Sequence, residues 1–464
     1  VYVPTDDAPV AHTAGVQRLL ASYRAIPAQA TVRLAKGTSN LFRARARNTA
    51  PGLDVSGLTG VLSVDPVART ADVAGMCTYE DLVDATLPYG LAPLVVPQLK
   101  TITLGGAVTG LGIESSSFRN GLPHESVLEL DILTGAGDVV TASATQNSDL
   151  FFTFPNSYGT LGYSVRLRIE LEPVAPFVEL THLRYHGLDE LVADMDDIVK
   201  TGVHDGRRVD YLDGVMFTPG EAYLCLGRQS DEPGPVSDYT GSQIYYRSIQ
   251  HDNPAGKTDR LTIADYLWRW DTDWFWCSRA FGAQNPRIRP LWPRRYRRSS
   301  FYWKLIGYDQ RFDIADRIEG RSLRRPPAPL RERVVQDIEV PIENTAEFLQ
   351  WFDANVPIEP VWLCPLRLRG DQAWPLYPIK PHHTYVNVGF WSSVPAGPAP
   401  GHTNRAIEKQ VAELGGHKSL YSESFYSPDE FDALYGGTKY RAVKQTYDPD
   451  SRLLDLYAKA VQRR

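Results

Sequence analysis

Residues Gly105–Gly121 read GGAVTGLGIESSSFRNG. The stretch lies between two apolar segments and holds glycines, small hydroxyl residues and one carboxylate, Glu114. Gly105, Gly106, Gly110 and Gly112 let the backbone approach something large and flat, and they tolerate φ > 0. Thr109, Ser115, Ser116 and Ser117 offer hydroxyls and N–H groups to phosphate or sugar oxygens. This is the chemistry of a loop that wraps a cofactor.

Two further loops of the same kind flank it. Gly37-Thr38-Ser39-Asn40 follows a short strand expected over Thr31–Leu34. Ser157-Tyr158-Gly159-Thr160-Leu161-Gly162 precedes a strand in which Val165, Leu167, Ile169 and Leu171 alternate with charged residues. No G-x-G-x-x-G with a distal acid is present, and no Walker A sequence. Three small-residue loops in this order suit an extended cofactor such as a dinucleotide. The plain alternative is a set of tight turns between strands.

The surrounding pattern alternates short helices and strands. Ala14–Tyr23 has helical spacing, and Gly60–Val64 with Thr70–Val73 reads as a hairpin. Thr78 is placed to cap a helix, with Asp81 at its third position. Val127–Thr134 and Val139–Ser143 flank Gly135-Ala136-Gly137-Asp138, a second hairpin. Composition shifts at Pro173–Pro176, beyond which strands and helices form a second α+β unit. The end of the chain, Tyr426–Arg464, reads as helical.

The 464 residues are 43% hydrophobic and 22% charged, ordinary for a globular protein with two or three domains. A net charge of −6 argues against general nucleic-acid binding. Cys77, Cys225, Cys277 and Cys364 are widely spaced, as reduced thiols are. No apolar run reaches the roughly 18 residues of a membrane span, and the beginning shows no secretory leader. The first residue is Val rather than Met.

Asp259–Tyr308 stands apart. It holds Trp268, Trp270, Trp274, Trp276, Trp292 and Trp303, with Arg287, Arg289, Arg294, Arg295, Arg297 and Arg298. Tryptophan favours membrane interfaces and arginine pairs with anionic headgroups. A peripheral membrane contact is one reading; a Trp-rich core with an acid-paired arginine face is the other.

Segments 31–41, 97–121 and 149–171 resemble the FAD-binding domain of the vanillyl-alcohol-oxidase (PCMH-type) superfamily. GIESSS followed by Gly121-Leu122, Trp362-Leu363-Cys364-Pro365, and Leu420-Tyr421 ahead of Asp429-Glu430-Phe431 resemble the delta24-sterol reductase branch more closely. The resemblance implies an α+β fold. A two-subdomain FAD-binding domain covers 1–173, and a substrate domain covers 174–415 with a Trp/Arg-rich insertion at 259–308. A last segment, 416–464, returns to the flavin. It also implies that FAD is held by Lys36, Gly37, Thr38, Ser39, Asn40 and Leu41 in the first loop. Pro97, Thr103, Gly105, Gly106, Thr109, Gly110, Gly112, Ile113, Ser115, Ser116, Ser117 and Gly121 follow in the second, and Gly159, Thr160 and Gly162 in the third. Covalent members of the superfamily carry a histidine in the first loop; Gly37–Asn40 has none, so the resemblance implies noncovalent FAD.

The same resemblance implies reduction of an isolated carbon–carbon double bond in a lipid. The eukaryotic sterol reductases carry an N-terminal anchor that is not seen here. Bacterial relatives of the family include reductases of methylene-branched fatty acyl chains, partners of the methyltransferase that makes the methylene group, and this arginine-rich chain fits that branch better. A cytoplasmic protein, peripheral on the inner face of a membrane, is therefore expected. A delta24-sterol reductase, an alcohol or sugar oxidase and a non-catalytic lipid-binding flavoprotein are the competing readings. No NAD(P)H fingerprint exists, so a nicotinamide donor would dock transiently.

An isolated alkene is not electrophilic and must be protonated as hydride arrives, so a general acid is required. Glu114 and Glu423 are the candidates for it, and Tyr385 is a further catalytic candidate. Glu114 is either that acid or a hydrogen-bond acceptor within its loop. Glu423 is either the acid or a capping carboxylate. Tyr385, with Asn387, lies on a strand expected to face the substrate; His382 and His383 before it are a relay or an exposed turn.

Overall fold

The computed structural model describes residues 8–36, 42, 52–312 and 330–462. Two antiparallel sheets organise it. The first contains β1 (Val61–Asp65), β2 (Thr70–Ala74), β3 (Leu91–Pro93), β4 (Val127–Leu133), β5 (Val139–Ser143) and β6 (Tyr163–Pro173). Their order is β1-β2-β6-β4-β5, and β3 pairs with β6 as well. The alternation along β6 explains its central place. Val165, Leu167, Ile169 and Leu171 are buried. Between them Arg166 reaches Asp72 of β2 at 2.6 Å, Asp131 of β4 at 2.7 Å, and Glu129 of β4. One guanidinium thus ties both neighbours to the central strand.

The chain crosses to the second sheet over Val174–Pro176. That sheet contains β7 (Phe177–Tyr185), β10 (Tyr211–Thr218), β11 (Glu221–Ser230), β12 (Lys257–Thr262), β13 (Arg331–Pro341), β14 (Val361–Leu366), β15 (Tyr385–Pro395) and β16 (His417–Lys418). Between β7 and β10, β8 (Val203–His204) and β9 (Arg207–Arg208) form a small separate hairpin. The large sheet runs β12-β7-β11-β10-β14-β15-β13-β16.

Period-two alternation gives this sheet two different faces. Val334, Ile338 and Val340 of β13, with Val386, Val388 and Phe390 of β15, pack beneath helices Leu188–Thr201, Thr345–Asn355 and His402–Glu413. Residues one position away point to the other face: Trp362 and Cys364 of β14, and Tyr385 of β15, share the core of the first sheet. That face presents Asp213, Asp337, Asn387 and Trp391 to the first domain.

The expected hairpins are β1–β2 and β4–β5. Thr78 caps helix Tyr79–Thr86 by accepting from Asp81 N. One expectation changes. The strand at Thr31–Leu34 is a single parallel bridge from Leu34 to Leu53, because Val32 N instead donates to Arg452 O at 2.7 Å. The C-terminal segment is helical as expected, in three short helices, Pro428–Leu434, Gly437–Tyr447 and Leu456–Ala460. Ser427 and Glu430 form a capping box for the first, and Lys444 Nζ donates to Thr160 O, fastening the second to the first domain. The four cysteines are free.

Candidate active site

A cavity of about 480 Å³ lies between the loops of the first domain and the inner face of the second sheet, within the range of small-molecule sites. Its walls have two chemistries. On the first-domain side, helix Leu104–Thr109 begins at Thr103, whose hydroxyl accepts from Gly106 N and from Lys36 Nζ at 3.1 Å. Arg33, Lys36 and Lys459 all reach this cavity. Glycine is required here for close approach. A Cβ on Gly105 would stand 2.3 Å from Ser164 Oγ and 2.5 Å from Gly75 O; one on Gly112 would stand 2.7 Å from Pro97 Cγ.

The opposite wall is aromatic. Phe42 stacks on Trp274 at 5.9 Å and meets Tyr421 edge-on at 5.7 Å. Phe275 packs against Trp391 at 4.5 Å and Trp362 at 5.5 Å. Set into this wall is Asp337. Its Oδ2 accepts from Tyr421 OH at 2.8 Å and its Oδ1 from Asn387 Nδ2 at 2.9 Å. Trp391 Nε1 donates to the Tyr421 oxygen at 3.2 Å. Desolvation pushes the Asp337 carboxyl up to about 6, against the pull of those two donors. Its cross-strand neighbour is Gly389, where a Cβ would stand 2.5 Å from Asp337 Oδ1.

Residues 10–143 match the FAD binding domain family. The delta24-sterol reductase of Homo sapiens is 25% identical over 424 residues, covering 88% of this chain and 75% of that protein. The Arabidopsis thaliana delta24-sterol reductase is 23% identical over 458 residues, covering 92% and 79%. Cytokinin dehydrogenase 5 of Oryza sativa subsp. japonica is 37% identical over 146 residues, 31% of this chain and 27% of that protein. The chain carries an FAD binding domain and, over most of its length, is similar to the delta24-sterol reductases. The residues present fit FAD: Arg33, Lys36 and Lys459 suit a pyrophosphate, and the aromatic wall suits a ring system.

Within this flavoprotein the cavity is lined by Lys36, Pro97, Thr103, Gly105 and Gly106. Thr109, Gly110, Gly112, Ile113 and Gly159 also line it. Gly37, Thr38, Ser39, Asn40 and Leu41 lie outside the described residues. The remaining expected cofactor contacts do not line the cavity and hold the loops instead. Ser116 Oγ donates to Leu94 O at 2.8 Å, Ser117 Oγ accepts from Glu114 N at 3.1 Å, and Ser115 Oγ meets Tyr266 OH at 2.8 Å. Thr160 Oγ1 donates to Ser157 O at 2.7 Å. Gly121 (φ 70°) and Gly162 (φ 141°) shape turns.

The expected acids are placed elsewhere. Glu114 is buried away from the cavity lining. Its Oε1 accepts from Gln98 Nε2 at 3.2 Å and lies 3.1 Å from Arg269 Nη2, while Ser115 donates to Oε2. Arg269 is shared with Asp213 at 2.9 Å. Burial pushes the Glu114 pKa up and Arg269 opposes it. Of the two readings of Glu114 this geometry fits the hydrogen-bond acceptor: Gln98 occupies the lining, and the carboxylate joins the loop to the second sheet. Glu423 does not line the cavity either; its carbonyl accepts from Lys418 Nζ. Tyr385 is buried behind the wall, where its oxygen accepts from Lys380 N at 3.4 Å. His382 and His383 pair with Asp371 and Glu343 near the surface.

Asp337 and Tyr421 escaped the sequence reading. Tyr421 sits two residues from Glu423, in a segment that was singled out. Asp337 and Glu339 alternate with Ile338 and Val340, a pattern that reads equally well as a strand with a solvated face. The tryptophans also differ from the membrane reading: Trp268, Trp270, Trp274 and Trp276 are buried, and Trp274 forms part of the cavity wall.

Proposed function

We propose that this protein reduces an isolated carbon–carbon double bond in a lipid, a methylene-branched fatty acyl chain, with a reduced nicotinamide as electron donor. The observation that carries the reading is the Asp337 carboxyl held by Tyr421 and Asn387 in an aromatic wall. The delta24-sterol reductases similar to this chain support the reaction class.

When bound and reduced, FAD supplies hydride to such a site. The protein must supply a proton to the less substituted alkene carbon, leaving positive charge on the tertiary one. Asp337 is the group suited to hold that proton, since desolvation raises its carboxyl to about 6. Tyr421 and Asn387 fix its two oxygens. The faces of Phe42, Trp274, Phe275 and Trp391 exclude water and favour a passing cation. After transfer Asp337 is a carboxylate that accepts from Tyr421 and Asn387 until it is reprotonated. Both an exocyclic methylene and a trisubstituted sterol side-chain alkene give a tertiary cation, so the site suits either.

Lipid mass spectrometry in a host that makes methylene-branched acyl chains, by way of the methyltransferase, tests the substrate. A gain of two hydrogens on that chain is expected. Reduction of a delta24-sterol with no change in the acyl chain would replace the substrate. Flavin bleached by an alcohol or sugar, with peroxide formed in air, would replace the reaction.

A further inference from the structure

The stretch from Trp274 to Tyr308 contains seven arginines and Lys304 but no carboxylate, in a chain of net charge −6. Some of these cations are used internally. Arg289 is buried and bonds both oxygens of Asp273, at 2.8 and 3.0 Å. Arg298 pairs with Glu80 at 2.5 Å, and Arg297 donates to the carbonyls of Gly241 and Trp292. Arg287, Arg294 and Arg295 are exposed, and among the described residues they form no ion pair. Arg295 lies over the Tyr296 ring at 4.8 Å.

Two large apolar side chains stand among these three arginines. Leu291 is 81% exposed and Ile288 41%. Leu291 N donates to Ile288 O at 2.9 Å, the spacing of a 3₁₀ turn. Side chains three apart in such a turn eclipse, so the two share one face. The patch is mechanically joined to the cavity. Arg289, between Ile288 and Leu291, clamps Asp273, and the next two residues, Trp274 and Phe275, line the cavity.

We propose that Ile288 and Leu291, flanked by Arg287, Arg294 and Arg295, dock this protein on a bilayer surface that carries anionic phospholipid. Apolar side chains enter the headgroup boundary while the arginines meet phosphate charge. Exposed arginines with no ion pair among the described residues, next in sequence to exposed apolar side chains, match that surface in both respects. The inference stands on exposure and charge, and does not depend on which alkene is reduced.

Co-sedimentation of the FAD-loaded full chain with vesicles tests it. Binding is expected to phosphatidylcholine vesicles containing phosphatidylglycerol, and to weaken with added salt and with phosphatidylcholine alone. Leu291→Ser combined with Arg294→Glu and Arg295→Glu is expected to weaken binding by at least about tenfold. Retained FAD and an unchanged melting temperature would show that the variant is folded, and turnover of detergent-dispersed substrate should persist. The milder Arg294→Gln with Arg295→Gln gives the same reading if the triple variant misfolds. No vesicle binding by the parent protein, equal binding to neutral vesicles, or undiminished binding by the folded variants would overturn the proposal. Retention on duplex DNA without vesicle binding would also overturn it, assigning the cations to nucleic acid.

Discussion

Tyr421 donates its phenolic hydrogen to Asp337 at 2.8 Å, joining the C-terminal segment to β13 inside the cavity. The two residues are far apart in sequence, and β13 and β15 bring them together with Asn387 and Trp391. A carboxyl so held has a defined orientation, and desolvation raises its pKa against those donors, which suits delivery of a proton to a weak base.

Replacing Asp337 therefore separates chemistry from cofactor binding. Asp337→Asn is expected to lower alkene reduction by about 10²–10⁴-fold while leaving bound FAD, read from the flavin spectrum, unchanged. Tyr421→Phe removes one orienting donor and should cost less, about tenfold. Full turnover in Asp337→Asn would remove the residue from the mechanism.

The pH dependence has a definite sign. The folded Asp337 carboxyl sits at about 6, above its ordinary 3.8. The proton is present below about 6 and absent above, so single-turnover reduction should fall as pH rises through that value. The same raised pKa makes the stabilisation complete below the unfolded value and lost as pH rises through the folded one. Urea midpoints of the parent should decline relative to Asp337→Asn between about pH 4 and 6.

Substitutions at Glu114 and Arg269 should change stability more than turnover. Arg269→Leu leaves the carboxylates of Glu114 and Asp213 buried without their shared cation. A loss of about 3–5 kcal/mol of stability is expected from denaturant unfolding. Glu114→Gln preserves the hydrogen bond from Ser115 and lies outside the cavity lining. Its turnover should stay within about tenfold of the parent, with the effect appearing in stability.

Gly105→Ala tests the cradle. The new methyl would meet Ser164 Oγ and the Gly75 carbonyl. Backbone contact cannot rotate away, so a cost of about 1–3 kcal/mol and a lower FAD content are expected, measured by melting temperature and flavin absorbance.

Much of the cofactor cradle was legible because its constraints are local. A glycine needed for close approach, a threonine that caps a helix and a loop after a strand all leave their mark within a few residues. Thr103, Gly105, Gly106 and Gly112 line the cavity as the motif suggested. Ser115, Ser116 and Ser117 carry the same polar composition, yet bond to Tyr266, Leu94 and Glu114 instead. Composition names the available donors but not their direction.

The sequence carried the flavoprotein class through its resemblance to a known family. It determined the α+β architecture and most of the described glycine cradle because backbone conformation and apolar periodicity are written in neighbouring residues. Only the tertiary structure decided which acid faces the cavity. Glu114, Glu423, Asp337 and Glu339 are all carboxylates on plausible elements. Whether each one meets Arg269, a tyrosine or an open cavity depends on strand register and on how the C-terminal segment returns. The tryptophans obeyed the same rule: their number was visible in the chain, but their burial follows from a second sheet and a segment folded across it.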